Sequence, residues 1–520
     1  MRKGIQIAIG CAVVAAVGAG GLTLMSSSEE DAEPITIGTA EVVTGLDPAG
    51  VYDSGSWALF SNVYQSLMTF RPGSLQPVPD AASACGFQGS GLTTYTCTLR
   101  EGLRFSDGRE VTAADVKYSF DRIRAINDPQ GPRTLLNTLK STRTEGDRKI
   151  VFQLRTPDAT FPYKIATGAG SIVDRESYPA DRLRTDNKVV GSGPYVLETY
   201  KSGDKAELRP NDEYEGTGKS GETGGPVTVR YFTSAAAVSA AWKKQQLDVV
   251  SGGMPPKELA DINPADPDTK VVESAAANAR TLVLDQHAKN SPVKEKAVRR
   301  ALAALIDRDA ISRDVYARTV DPLYSLIPQG MNGHKTPFHD TYPEPDSDRA
   351  AEMLAEAGVT TPVKLTLGHA EGTMNEAEAK SVRKQLNASG LFEVKLAKRS
   401  WATFQESISD HEFDGFLISW VADFPDPDTF TTPLVGHDPV WRTGYESKRV
   451  EDLILKTQQE AKRDRTAPDF RAIQRIVADD VPMIPLWQQK DYVLSGNEVS
   501  GTEYLSDGTG MWRLWRLNRI

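Results

Sequence analysis

Histidine and cysteine, the residues from which most metal and nucleophile sites are built, are scarce here: six and three in 520 residues. His287, His334, His339, His369, His411 and His437 are scattered, and none has HExxH or HxH spacing, which removes the common zinc arrangements. There is no GxSxG and no GxGxxG, so neither a nucleophile elbow nor a dinucleotide loop is present. Ser291–Lys294 and Ser381–Lys384 fit SxxK, but no SDN occurs and the Lys201-Ser202-Gly203 triplet precedes both, reversing the order that acyl-transfer chemistry uses. Gly216-Thr217-Gly218-Lys219-Ser220 ends like a P-loop, yet Glu213 stands at its first glycine and no buried strand leads into it; it reads as a surface loop. Positive charge is also short. Lys and Arg total 60 against 70 Asp and Glu, a net charge of −10, which argues against a nucleic-acid partner because phosphate contacts need clustered cations. No catalytic set, cofactor or metal is expected.

What is present describes a globular, exported chain. The length exceeds one hydrophobic core, so two or three domains are expected; 39% hydrophobic and 25% charged residues are ordinary for a soluble protein. Arg2-Lys3 precede an apolar run from Gly4 to Met25, followed by Ser26-Ser27-Ser28-Glu29-Glu30-Asp31. Residues 1–34 are therefore read as an export signal or a retained membrane anchor, since about 20 apolar residues can span a bilayer. Past Cys11, only Cys85 and Cys97 remain, bracketing a Gly/Ser turn and β-prone Thr94-Tyr95-Thr96. In an exported protein, two thiols across such a hairpin predict one disulfide.

Along the chain, Ile35–Gly38 predicts a strand. Leu99–Val116 predicts a strand, an Asp107-Gly108 turn, and a helix from Ala113 to about Ile126 opened by a capping box of Thr112 and Asp115. Val116, Phe120, Ile123 and Ile126 form its apolar face. Residues 227–250 alternate strand, helix and strand, a doubly wound rhythm. Val293–Arg308 predicts one helix after Ser291-Pro292. Further helices and strands lead to Phe416-Leu417-Ile418, read as a buried strand of a mostly parallel sheet. It ends at Trp420 and Asp423, with Pro425 and Pro427 stopping it. A carboxylate just past the carboxyl end of such a strand lies where open α/β sheets place ligands; a plain turn residue is the competing reading.

Four stretches carry a resemblance to a known family. Ser419-Trp420-Val421-Ala422-Asp423-Phe424-Pro425-Asp426-Pro427, Leu99–Val116, Gly191-Ser192-Gly193-Pro194-Tyr195 and Val293–Arg308 resemble the signatures of the family-5 solute-binding proteins of ABC importers, the dipeptide and oligopeptide receptors. The resemblance covers nearly the whole chain after Ile35. It implies an α/β, two-lobed periplasmic-binding-protein-like fold (class II) with an accessory subdomain. The expected division is lobe I from 35–70, 187–280 and 489–520, the accessory subdomain from 71–186, and lobe II from 281–488. It implies that Asp423 holds the α-ammonium of a bound peptide, beside Trp420, Val421 and Ala422, that Trp401 lines the cleft, and that Tyr52, Asp53 and Ser54 face the ligand backbone. Leu417 stands where some oligopeptide receptors carry an Arg for the ligand carboxylate, and Gly21 where lipidated members carry a Cys. The implied protein is a non-enzymatic, monomeric, extracytoplasmic receptor at the outer face of the cytoplasmic membrane, serving ABC permease subunits. The same fold with a nickel chelate, heme, oligosaccharide or siderophore as solute is the alternative, and an extracellular hydrolase a further one.

Overall fold

A computed structural model describes residues 33–219, 224–263, 265–506 and 508–520. The export-signal reading, apart from its last two residues, and Ser220 of the P-loop-like stretch lie outside them. Among the described residues, no helix is long and apolar enough to cross a membrane.

Two large hydrophobic cores organise residues 34–520. The first gathers Ile35, Ile37, Phe60, Leu67, Val227 and Val249 with Leu514 and Leu517 from the carboxyl end. It runs without a break into a four-stranded antiparallel sheet ordered Ala82–Phe87, Thr94–Leu99, Lys149–Leu154, Leu139–Glu145. The second core is built from residues between Ala279 and Trp487. One long sheet joins them. Its central strand, Met483–Ser495, pairs antiparallel with Asn278–Leu284 through its first half and with Val249–Ser251 and Lys270–Ala275 through its second. Thirteen residues span both bodies because Met483 to Trp487 and Val493 to Ser495 are buried while the stretch between them is polar.

The sheet is mixed rather than mostly parallel. Ile35–Thr39 runs parallel to both neighbours, Val227–Tyr231 and Val249–Ser251, as βαβ connections require. Gly415–Val421, however, lies antiparallel to Asn278–Leu284 on one side and parallel to Val363–Ala370 on the other. The neighbour decided this: Asn278–Leu284 enters from the first body, and hydrophobic runs alone do not reveal direction.

Local chemistry explains most element ends. Asp115 accepts from both the Thr112 amide (2.9 Å) and hydroxyl (2.7 Å), closing the capping box of Ala113–Ile126. That helix lays Phe120 edge-on against Phe152 of the small sheet at 4.9 Å. The single helix expected over Val293–Arg308 is broken. A turn at Pro292–Lys294 precedes Lys296–Leu305, and Glu295 and Ile306 are extended. Buried Arg299 takes the carbonyls of Val293 and Lys294, satisfying groups that a continuous helix would have paired internally. Cys85 and Cys97 sit directly opposite one another on adjacent strands and form a disulfide.

Candidate functional site

Asp423 occupies the seam between the two bodies. Ala422 packs in the second core and Phe424 in the first, so the chain crosses from one to the other at this carboxylate. Gly415–Val421 delivers it there. The Ala422 amide donates to the Ala277 carbonyl at 2.7 Å, which by antiparallel alternation turns the backbone groups of Ser419 and Val421 away from Asn278–Leu284. On that other edge, Val363–Ala370 pairs only as far as Gly415 and Phe416. Among the described residues, Ser419 and Val421 thus offer an edge without a backbone partner, suited to extended backbone.

Asp423 is 8% exposed. The Thr429 hydroxyl donates to its Oδ2 at 3.1 Å and accepts from the Asp423 amide at 2.9 Å. Tyr52, reaching over from the first body, brings its hydroxyl near enough to the same carboxylate to influence its charge. Burial nevertheless dominates and raises the Asp423 pKa to about 7, against the pull of Tyr52, Thr429 and the more distant Lys164 ammonium. The Tyr52 hydroxyl is held well above its ordinary value by burial and by the Asp423 charge. A carboxylate of this kind binds a cation strongly and a neutral group poorly.

The expected residues divide clearly. Tyr52, stacked on Trp57 at 5.2 Å, and Asp423 are brought together. Trp420 donates its indole N–H to the Thr429 carbonyl at 2.8 Å and meets Trp441 edge-on at 6.0 Å, so it braces the loop that carries Asp423. Val421 contributes backbone, whereas Ala422 is buried with its amide already paired. Asp53 is engaged in capping: it accepts from the Ser56 amide at 2.7 Å and from the Ser56 and Thr44 hydroxyls, starting helix Ser54–Val63. Ser54 is that helix's first residue and half-buried. Trp401 opens helix Trp401–Ser409, 56% exposed, with its ring 6.0 Å from Phe404.

Sequence reasoning missed Thr429, Trp441 and Lys164. A hydroxyl six residues after Asp423 carries no pattern, and Lys164 lies more than 250 positions away in Phe161-Pro162-Tyr163-Lys164. A cavity of about 510 Å³ between the Thr44–Val51 loop and residues 128–130 and 183–188 lies apart from Asp423.

Two α/β bodies sharing a long central strand make a two-lobed fold of the kind found in periplasmic binding proteins. Residues 76–441 match the family described as bacterial extracellular solute-binding proteins, family 5 (middle region), and the chain belongs to that family. A probable D,D-dipeptide-binding periplasmic protein of Escherichia coli is 26% identical over 484 residues, covering 90% of each chain. A di/tripeptide-binding protein of Pseudomonas aeruginosa is 25% identical, covering 92% of this chain and 94% of its own. Among solved structures, the periplasmic binding protein DppA of Helicobacter pylori in complex with the peptide STSA superposes with a TM-score of 0.81 at 23% identity, over 94% of this chain and 98% of that one. The relatives are binding proteins, and this chain is a binding protein rather than an enzyme.

Proposed function

We propose that the protein captures an amino-terminated peptide between two lobes and hands it to an ABC permease at the outer face of the cytoplasmic membrane. The observation carrying this reading is Asp423 itself: a carboxylate in the seam, given the Thr429 hydroxyl as donor, the Tyr52 hydroxyl nearby and no direct cationic partner among the described contacts. An α-ammonium supplies the missing charge, and the unpaired edge at Ser419 and Val421 accepts the peptide backbone as an added strand. The two cores support lobes near the expected boundaries, 35–70 with 187–280 and 489–520 against 281–488, and 71–186 as the accessory part that shares the first core. Binding energy realised only when both bodies meet the ligand drives closure. The N-terminal segment tethers or exports the chain, which acts as a monomer.

Trialanine and N-acetyl-trialanine test the reading after mass spectrometry of any ligand released from the purified protein. Asp423→Ala should weaken a free-amine peptide by about two to three orders of magnitude, because removing one partner of a buried ion pair costs roughly 3–5 kcal/mol. Acetylating the peptide should cost wild type a similar amount, and the two losses should overlap rather than add. Equal binding of free and acetylated peptide by wild type would leave Asp423 a turn residue and point to a non-peptide solute.

A further inference from the structure

Three amide side chains mark where Met483–Ser495 changes partners. The Gln489 backbone amide donates to the Asn278 side chain at 2.7 Å, and that side chain donates back to the Gln489 side chain at 3.0 Å. Buried Gln488 donates to the Ala276 carbonyl (2.9 Å) and accepts from the Gln329 amide (2.8 Å). Side chains thus supply hydrogen bonds at the point where the ladder passes from Asn278–Leu284 to Lys270–Ala275. On the opposite edge, Val320–Pro322 pairs with residues 487–489 and Val249–Ser251 with residues 493–495. Among the described residues, 490–492 have no strand on that edge, so the sheet is thinned where the two bodies join.

Lys490 stands at that gap. Its diagonal neighbours across the two ladders, Glu273 opposite Tyr492 and Asp321 opposite Gln488, share its face of the sheet. The Lys490 ammonium lies 2.9 Å from the Glu273 carboxylate and 3.5 Å from that of Asp321. Glu273 follows Val272, which packs against the first core, and Asp321 follows Val320 of the second. One cation therefore serves two carboxylates that belong to different bodies. Glu273 and then Asp321 hold the ammonium above its ordinary pKa, against the pull of partial burial.

On the proposed function, we infer that Lys490 is a latch on the hinge that favours the closed arrangement of the two bodies. Lys490 and Glu273 sit on strands paired within the first body, so their contact survives a rotation of one body against the other. The Asp321 contact crosses the boundary and is the one that opening lengthens. Opening leaves the ammonium with Glu273 and water rather than stranded, so the latch biases closure without locking it. Half-exposed ion pairs shift an equilibrium by about two- to fivefold. A ligand that selects the closed form feels that factor in its affinity.

Titration calorimetry with trialanine at about 10 mM and about 1 M salt reads the latch, since the screening length shortens from about 30 Å to about 3 Å between them. Asp321→Asn and Lys490→Met should each weaken trialanine about two- to fivefold at the low salt and match wild type at the high. The double variant should fall no further than the weaker-binding single. Glu273→Gln, which leaves Asp321 as the ammonium's carboxylate in this triad, should not weaken binding. Small-angle scattering reads the same equilibrium without ligand: Asp321→Asn should have a larger radius of gyration than wild type at low salt and the same one at high salt. A ligand-free radius unmoved by Asp321→Asn at low salt would overturn the inference, as would a loss on Glu273→Gln equal to that on Asp321→Asn. Equal binding of trialanine and its acetylated form by wild type would instead sink the receptor reading and leave the scattering comparison standing.

Discussion

Asp423 is destabilising for the empty protein, and its sign with pH follows from its shift. Unfolded, the side chain ionises near its ordinary value of 3.8; folded, it holds its proton to about 7. Between those values the folded state binds the extra proton, so this group's contribution becomes steadily less favourable as pH rises through that window and is constant above it. At about 1.4 kcal/mol per pH unit, the full penalty approaches roughly 4 kcal/mol. Asp423→Asn, which can still accept from Thr429, should therefore match wild type in melting temperature at pH 4 and exceed it at pH 8 without ligand. Calorimetry across that range decides it; a variant equal to wild type at both pH values would mean that Asp423 is solvated. Phe424 makes a second residue-level case. Its ring is 1% exposed in the first core although its neighbours Ala422 and Phe430 belong to the second. Opening the seam would withdraw it from Tyr163, so Phe424→Ala should weaken ligand binding by about tenfold or more, out of a typical core truncation of 3–5 kcal/mol. Titration calorimetry with trialanine measures the loss.

Among the elements, the small antiparallel sheet shows how a local staple and a local helix share one task. Cys85 and Cys97, twelve positions apart, are cross-strand neighbours, and Cys97 is fully buried. Closing a loop of that length limits the unfolded chain by on the order of 3 kcal/mol in the chain-entropy model. The Cys85→Ser/Cys97→Ser pair should lower the denaturation free energy by about that amount, and free-thiol labelling of the unfolded, unreduced protein should find neither thiol. Since the first core continues into this sheet, the loss should appear in the transition of the whole first body rather than as a separate early step.

For the whole molecule, what matters is that two cores meet along only a few strands. Met483–Ser495, Lys270–Ala275 and Asn278–Leu284 carry the connection, with the Gln489 amide donating to the Asn278 side chain at 2.7 Å where they cross. Strands that change core in mid-length can twist without breaking their ladders, which suits a hinge. Saturating trialanine should therefore reduce the radius of gyration measured by small-angle scattering. An unchanged radius would argue that the seam stays shut with or without ligand.

Periodicity and turn chemistry make several elements legible in the sequence alone: the capping box at Thr112 and Asp115, the strand into Trp420, helix Trp401–Ser409 and the cysteine hairpin all follow from interactions within a few residues. The position of Asp423 at a strand's end, and through the motif around it the family, are legible too. Strand direction is not, because the hydrophobic run Phe416–Ile418 is equally content beside a parallel or an antiparallel neighbour. Nor can sequence show that Asp53 is engaged in capping its own helix while adjacent Tyr52 reaches Asp423. The charge of the site belongs to this second class. Burial of Asp423 arises only when segments hundreds of residues apart close on one another, and it is that removal of water, not the identity of the residue, that lifts the pKa of an ordinary aspartate to about 7.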